Sequence, residues 1–230
     1  MKDLLSLLAA LLLVPIYGPY LAKIRKGTVT VHAYSWAIWT VTTAMLAFLQ
    51  LTHGVGPAFW PGLLASVFYL ACAVSAMAPN LLRPKNSPSH IERQKQHFTP
   101  GDTLLLFSCL AAAAFWYFLK QPVASVLLLA TIDFVGFIPT FRMAWSTTSN
   151  HGLTMYFLSA GRCGIALLAV SHYNVITVVP FLPTLLGNPA FMVFVYLRKA
   201  AVACGRHATY CEHIWHDFRN LGTKAISAMG

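Results

Sequence analysis

Apolar runs recur along the chain between short polar turns, and most are about 17–25 residues long, the length a helix needs to cross a bilayer. The pattern predicts seven membrane-spanning helices, at about residues 4–22, 34–53, 58–78, 102–119, 122–142, 153–171 and 174–197. The first run resembles a signal peptide. It lacks a small-x-small site before a polar mature start, so we expect it to remain in the protein.

The long polar segment at 79–100 divides the predicted spans into groups of three, one and three. We therefore expect an all-α polytopic membrane protein built as a 3+1+3 parallel repeat. Its predicted parts are a first three-helix unit (1–79), a basic linker with the fourth, inverting helix (80–121), a second three-helix unit (122–197) and a basic amphipathic tail (198–230).

Composition excludes an ordinary soluble domain. The chain is 57% hydrophobic and only 10% charged, whereas a soluble domain carries about 25% charged residues. The formal charge of +10 does not indicate nucleic acid, because the basic residues lie in loops beside apolar runs. The lipid bilayer, and anionic headgroups at the basic loops and tail, are the predicted partners.

The distribution of loop charge predicts the orientation. Lysine and arginine are concentrated after the first, third and fifth spans, whereas the loops after the second and sixth spans contain neither. By the positive-inside rule the basic loops are cytoplasmic. We expect a bacterial inner-membrane protein with its N-terminus outside and its C-terminus in the cytoplasm.

Two prolines mark the internal repeat. Pro19 and Pro139 stand 120 residues apart, each near the cytoplasmic end of the first span of its unit. Proline removes a backbone donor and clashes with the preceding turn of a helix. The two prolines are therefore candidate hinges, and permanent kinks are the alternative.

This arrangement resembles the SWEET and PQ-loop superfamily of small-solute transporters over about residues 4–197. The resemblance rests on the topology, on Pro19 and Pro139, and on Asn188 in the last span. It implies that kinked helices flank a central pathway whose pocket is lined by an asparagine and aromatic residues. The family's proline–glutamine dipeptide is replaced here by Pro19-Tyr20 and Pro139-Thr140, so the resemblance does not indicate a sugar as the solute.

Three polar residues are predicted at one depth in the membrane. At about 1.5 Å of rise per residue, Asp133, Arg162 and Asn188 each lie about 13 Å from the cytoplasmic end of their spans. We expect Asp133 and Arg162 to form an ion pair with Asn188 close by. Two interpretations stay open: a solute or proton site on a transport pathway, and a structural pair that fixes helix packing.

Other residues are weaker candidates. Trp36 and Tyr156 stand near the starts of their spans, where they could line a solute pathway at its cytoplasmic mouth or belong to an aromatic belt. Asp102 is expected as a helix cap or first-turn acid. The tail carries cysteines and histidines whose spacing matches no standard zinc pattern, so no metal is predicted. An amphipathic helix on the inner leaflet is expected at 203–227.

The leading functional hypothesis is a transporter that moves a small polar solute by alternating access around the mid-membrane site. The alternative is a non-transporting scaffold or accessory subunit with a structural Asp–Arg pair. The sequence contains no nucleotide-binding loop, nucleophile motif or paired carboxylates, so an enzyme is not predicted. No cofactor is expected. The sequence leaves open whether the protein forms a homo-oligomer.

Overall fold

The described secondary structure is entirely helical. The computed structural model describes residues 1–29, 31–77, 99–119, 121–146 and 151–203. Its helices are α1 (Lys2–Leu11), α2 (Leu13–Lys26), α3 (Ala33–Thr52), α4 (Phe59–Met77), α5 (Pro100–Leu119), α6 (Pro122–Val135), α7 (Phe137–Ser146), α8 (Leu153–Leu168), α9 (Val175–Val178) and α10 (Leu182–Ala203). Short 3₁₀ turns at Gly56–Ala58 and Val179–Phe181 precede α4 and α10.

Four helical segments of the described residues are long and apolar enough to cross a membrane. They are Lys2–Lys26, Gly56–Met77, Pro122–Ser146 and Val175–Val202, with mean hydropathies between 1.6 and 2.0. Two shorter apolar helical stretches lie at Pro100–Ala111 and Leu153–Leu168. The prediction of an all-α protein is confirmed for the described residues, and the long apolar helices fit a membrane protein.

Helix α3 packs against α4, α5, α6 and α7, so protein surrounds much of it. It buries the polar side chains of Ser35, Thr42 and Gln50. Polar groups in a membrane are tolerated where they face protein rather than lipid. This environment explains why α3 is not among the four most apolar segments, although the sequence predicted a span there.

Helix α4 places large apolar side chains outward and small ones inward. Leu64, Val67 and Leu70 are 39–59% exposed, whereas Ala65 and Ala73 are at most 3% exposed. Small residues at a helix interface let two backbones approach closely, as is usual between helices in membranes. The exposed stripe is suited to contact with lipid.

Two helical segments are interrupted just before a proline. The boundary between α1 and α2 falls at Leu12, and the boundary between α6 and α7 falls at Gly136. Each lies three residues before a proline, Pro15 and Pro139. A proline cannot donate to the carbonyl four residues earlier, and that carbonyl belongs to the last residue of α1 or of α6. The predicted hinge Pro19 instead lies inside α2, which continues through it.

The N-terminus meets two loops at one end of the helices. The Lys2 Nζ donates to the carbonyls of Val170 (2.6 Å) and Ser171 (2.9 Å), and the Ser171 N–H donates to the Val55 carbonyl (3.1 Å). A Cβ on Gly56 would lie 2.1 Å from the Ser171 Oγ, and Gly56 has a positive φ of 70°. Glycine is therefore required for this approach. We call these the outer contacts, after the side of the membrane on which the loop charges predict them.

The chain forms two compact units, Met1–Met192 and Val193–Gly230. All sites described below belong to the first unit. Residues 80–98 of the predicted linker lie outside the described residues. The same is true of 204–230 of the predicted tail, with its cysteines and histidines.

Candidate functional site

A buried cavity lies where α2, α3, α4, α6, α7, α8 and α10 converge, and we call it the central cavity. Its volume is about 20 Å³. A water molecule needs roughly 10–15 Å³ by this measure, so the cavity has room for about one water. It is lined by Tyr17, Trp36, Trp39, Tyr69, Asp133, Phe137, Met155, Tyr156, Ser159, Thr184 and Asn188.

Aromatic rings form much of the wall. The Trp36 ring is 5.2 Å from that of Trp39 and 5.5 Å from that of Tyr69, measured between ring centroids. Tyr17 lies 5.5 Å from Tyr69, and Trp39 lies 4.6 Å from Phe137. Edge-on and tilted contacts at these distances are favourable, so the rings form a mutually supported wall.

Asp133 supplies the acidic group of the central cavity. It is 5% exposed, and its carboxylate accepts a hydrogen bond from the Thr42 hydroxyl of α3. Its backbone carbonyl accepts from the Trp39 Nε1 at 3.0 Å. A Cβ on Gly136 would lie 2.8 Å from that Nε1. The absence of a side chain at Gly136 therefore allows Trp39 to reach the carbonyl.

The predicted ion pair between Asp133 and Arg162 is wrong for the described residues, where Asp133 forms no ion pair. The carboxylate instead contacts Thr42. Arg162 lines a second cavity of about 40 Å³, which we call the arginine cavity. The two cavities share Tyr69 and Thr184 as lining residues. Equal depth in the membrane does not make two side chains point toward each other, because their helices can present them to different neighbours.

The other predicted solute-binding residues line the central cavity. Trp36 and Tyr156 are 1% and 3% exposed, and Asn188 is 6% exposed. Their burial differs from that of an aromatic belt, whose rings face the membrane interface. The Trp36 Nε1 is a buried donor without a hydrogen-bond partner among the described residues.

Sequence reasoning missed the hydroxyl groups that join the cavity wall. The Tyr17 hydroxyl lies 2.8 Å from the Ser159 Oγ and donates to the Tyr69 hydroxyl at 3.4 Å. Helical spacing gives a reason to expect Tyr69 in the wall. It follows Ala65 by four residues, about one helical turn, and Ala65 is buried, so both residues lie on the inward face of α4. The 120-residue offset of the repeat matches Asn188 to Phe68, the residue before Tyr69.

A charged cluster links three segments at the end of the molecule opposite the outer contacts. Asp102, in the first turn of α5 as expected, is 2% exposed and forms a capping box with Thr99. Its Oδ1 accepts from the Arg142 Nη1 of α7 at 2.6 Å. The His32 Nε2, just before α3, lies 3.8 Å from its Oδ2. We call this the Asp102 cluster.

His32 is neutral at physiological pH in this cluster. Burial is the largest influence and lowers the pKa of His32 from its usual 6.5 to about 4. The positive charge of Arg142 lowers it further, and the carboxylate of Asp102 opposes the shift without overcoming it. The strong charge interaction of the cluster is therefore the pair between Asp102 and Arg142.

No protein-family model, curated protein or solved structure matches this chain.

Proposed function

We propose that this chain is an integral membrane transporter that moves a small polar solute by alternating access around the central cavity. The observation that carries the proposal is the convergence of Asp133, Asn188 and an aromatic wall on one buried cavity. Polar and ionisable side chains inside a membrane are costly, and they commonly mark a transport pathway.

The proposed architecture has seven spans in a three-one-three parallel repeat. The segments Lys2–Lys26 and Pro122–Ser146 both contain 25 residues and begin 120 residues apart. Each is interrupted once, before a proline. A 3₁₀ turn containing a proline, Pro57 or Pro180, precedes the third helix of each unit. These correspondences support the repeat and the resemblance to SWEET and PQ-loop transporters.

The proposed orientation has the N-terminus outside and the C-terminus in the cytoplasm of a bacterium. The outer contacts join the N-terminus to the loops that contain Val55 and Ser171, which the charge pattern assigns to the outside. The Asp102 cluster joins segments that the same pattern assigns to the cytoplasmic side. This grouping of loops supports the assignment.

Access to the central cavity would alternate between its two ends. In this proposal the outer contacts would close one end of the central cavity and the Asp102 cluster the other, so the described structure would correspond to an occluded state. Rocking of one three-helix unit against the other would open one end while the other stays closed. The cavity must widen in the open states, because 20 Å³ accepts no more than about one water.

A non-transporting membrane scaffold is the second candidate, and the small volume of the central cavity favours it. In that case the buried polar groups would fix a unique helix packing, with the bond between Thr42 and Asp133 in place of the predicted Asp–Arg pair. The two candidates differ in whether water reaches the cavity from either side.

Accessibility of a cysteine at Asn188 tests the proposal. The Asn188→Cys variant is made in a chain whose native cysteines, at 72, 109, 163, 204 and 211, are replaced by serine or alanine. A small water-soluble thiol reagent is then applied from each side in turn. Leu186→Cys is the matched control, because Leu186 is on the same helix and is 57% exposed on the apolar surface.

Transport predicts labelling at position 188 from at least one side and no labelling at position 186. If position 188 is not labelled from either side, in a variant that still folds and inserts, the transport proposal is refuted and the scaffold is favoured.

A further inference from the structure

Arg162 is a buried cation without a protein counter-ion in the described part of the chain. The residue is 5% exposed, its Nε has no hydrogen-bond partner, and it forms no ion pair with a described acid. Asp133, the acid that was predicted to pair with Arg162, accepts a hydrogen bond from Thr42 and lines the central cavity. The positive charge is thus left facing the arginine cavity.

The guanidinium group of an arginine is positively charged in proteins. Placing a charge in a low-dielectric interior is costly unless an opposite charge or several hydrogen bonds accompany it. Because no described acidic residue lines the arginine cavity, the compensating charge must come from outside this part of the chain. An anion inside the cavity would supply it.

The arginine cavity has the size and the polar lining that a small anion needs. Its volume of about 40 Å³ is roughly three times the space that one water requires. Thr43, Tyr69 and Thr184, which carry hydroxyl groups, are among its lining residues. The Tyr69 hydroxyl accepts a bond from Tyr17 and so keeps its own proton as a donor. The remainder of the wall is mostly apolar, which strengthens electrostatic attraction inside the cavity.

We propose that the arginine cavity binds a small monovalent anion of about the size of chloride. The Arg162 guanidinium supplies the charge, and the surrounding hydroxyl groups supply hydrogen bonds. Because the two cavities share Tyr69 and Thr184, an anion at Arg162 also lies next to the central cavity. The proposal does not depend on transport, since binding is measured on the resting protein.

Thermal unfolding of the purified protein in detergent tests the anion site. Samples contain increasing sodium chloride, with sodium gluconate added to hold the ionic strength constant, because gluconate is too large for the cavity. Binding to the folded state predicts a Tm that rises with chloride concentration. Arg162→Gln should abolish this chloride-dependent rise, whereas Arg25→Gln, which removes an exposed arginine, should retain it.

Two milder variants keep the proposal falsifiable if Arg162→Gln does not fold. Thr43→Val removes one hydroxyl without changing the side-chain volume and should raise the half-saturating chloride concentration about tenfold. Gly62→Ala adds a methyl group at the cavity wall, where its Cβ meets only the Ala47 Cβ at 3.4 Å, and should also weaken binding.

An identical Tm in chloride and gluconate would overturn the proposal. A chloride response that persists in Arg162→Gln would do the same, as would half-saturating concentrations unchanged in both milder variants. The absence of cysteine labelling at position 188 would refute the transport proposal without changing the chloride-binding results. The two proposals can therefore fail separately.

Discussion

Replacing Gly136 by alanine should destabilise the protein through one specific contact. The new Cβ would lie 2.8 Å from the Trp39 Nε1, 3.1 Å from the Asp133 carbonyl oxygen and 3.1 Å from the Ile38 Cγ2. Real Cβ atoms do not approach other heavy atoms within 3.0 Å, so α3 must move or the Trp39 ring must turn. Either change lengthens the hydrogen bond from Trp39 to the Asp133 carbonyl.

The expected loss combines three terms. Overpacking of a close contact costs about 1–3 kcal/mol, and an interhelical hydrogen bond in a membrane protein contributes about 0.6 kcal/mol on average. Gly136 has helical angles, with φ of −56° and ψ of −18°, so alanine regains up to about 1 kcal/mol of helix propensity. The net effect is a destabilisation of about 1–3 kcal/mol, or roughly 3–10 °C in Tm for a chain of this length.

Thermal unfolding in detergent, followed by scanning fluorimetry, measures this loss. Gly161→Ala is the matched control, because its new Cβ on α8 meets no atom of another described helix within 4 Å, and its Tm should stay unchanged or rise slightly. Trp39→Phe removes the obstructing nitrogen. In that background Gly136→Ala should cost less than in the native chain, by about 1 kcal/mol in a double-mutant cycle.

Equal Tm values for Gly136→Ala and Gly161→Ala would show that the close approach of Trp39 to the α6–α7 junction is not tightly packed. Additive effects of Gly136→Ala and Trp39→Phe would refute the specific contact, even if both variants were unstable.

Three further outcomes follow from the two ends of the molecule. Between pH 6.5 and 4 the unfolded chain binds a proton at His32 that the folded chain does not, so the unfolding free energy should fall as the pH drops through this window. His32→Gln should flatten this decrease when Tm is measured against pH. Asp102→Asn should speed labelling of Asn188→Cys from the cytoplasmic side, roughly fivefold for each kcal/mol of closure lost, and an unchanged rate would exclude the cluster as a closing contact. Lys2→Met should accelerate labelling from the outer side instead, and equal acceleration from both sides would indicate general loosening.

The sequence predicted the helices of the described residues, but not which way their polar side chains face. Hydrophobic run length determines the helices. Helical rise placed Asp133 and Asn188 at one predicted depth, and both line the central cavity. The direction of a side chain depends on how its helix is rotated against its neighbours. Arg162 therefore lines a different cavity from the one expected, although its depth was taken from the same calculation.

Rules that relate residues close together in the sequence predicted the role of Asp102 correctly. The role of Asp102 in the first turn of α5 follows from its place before an apolar run. Its partners Arg142 and His32 are separated from it by 40 and 70 residues, and no spacing rule connects them. Similarly, the proline rule predicted interrupted helices, but Pro15 rather than Pro19 coincides with the interruption of the first one.

The inverted distribution of side-chain size on α4 determines how this protein can change during evolution. In a soluble protein the interior demands apolar bulk and the surface accepts almost any polar residue. Here the outward positions, such as Leu64, Val67 and Leu70, can exchange freely among large aliphatic residues but exclude charge, because they face hydrocarbon. The inward Ala65 and Ala73 are limited by volume, since one added methylene would separate neighbouring helices. Substitutions among descendants of this chain should therefore accumulate on its outward side, whereas its small inward residues should be retained.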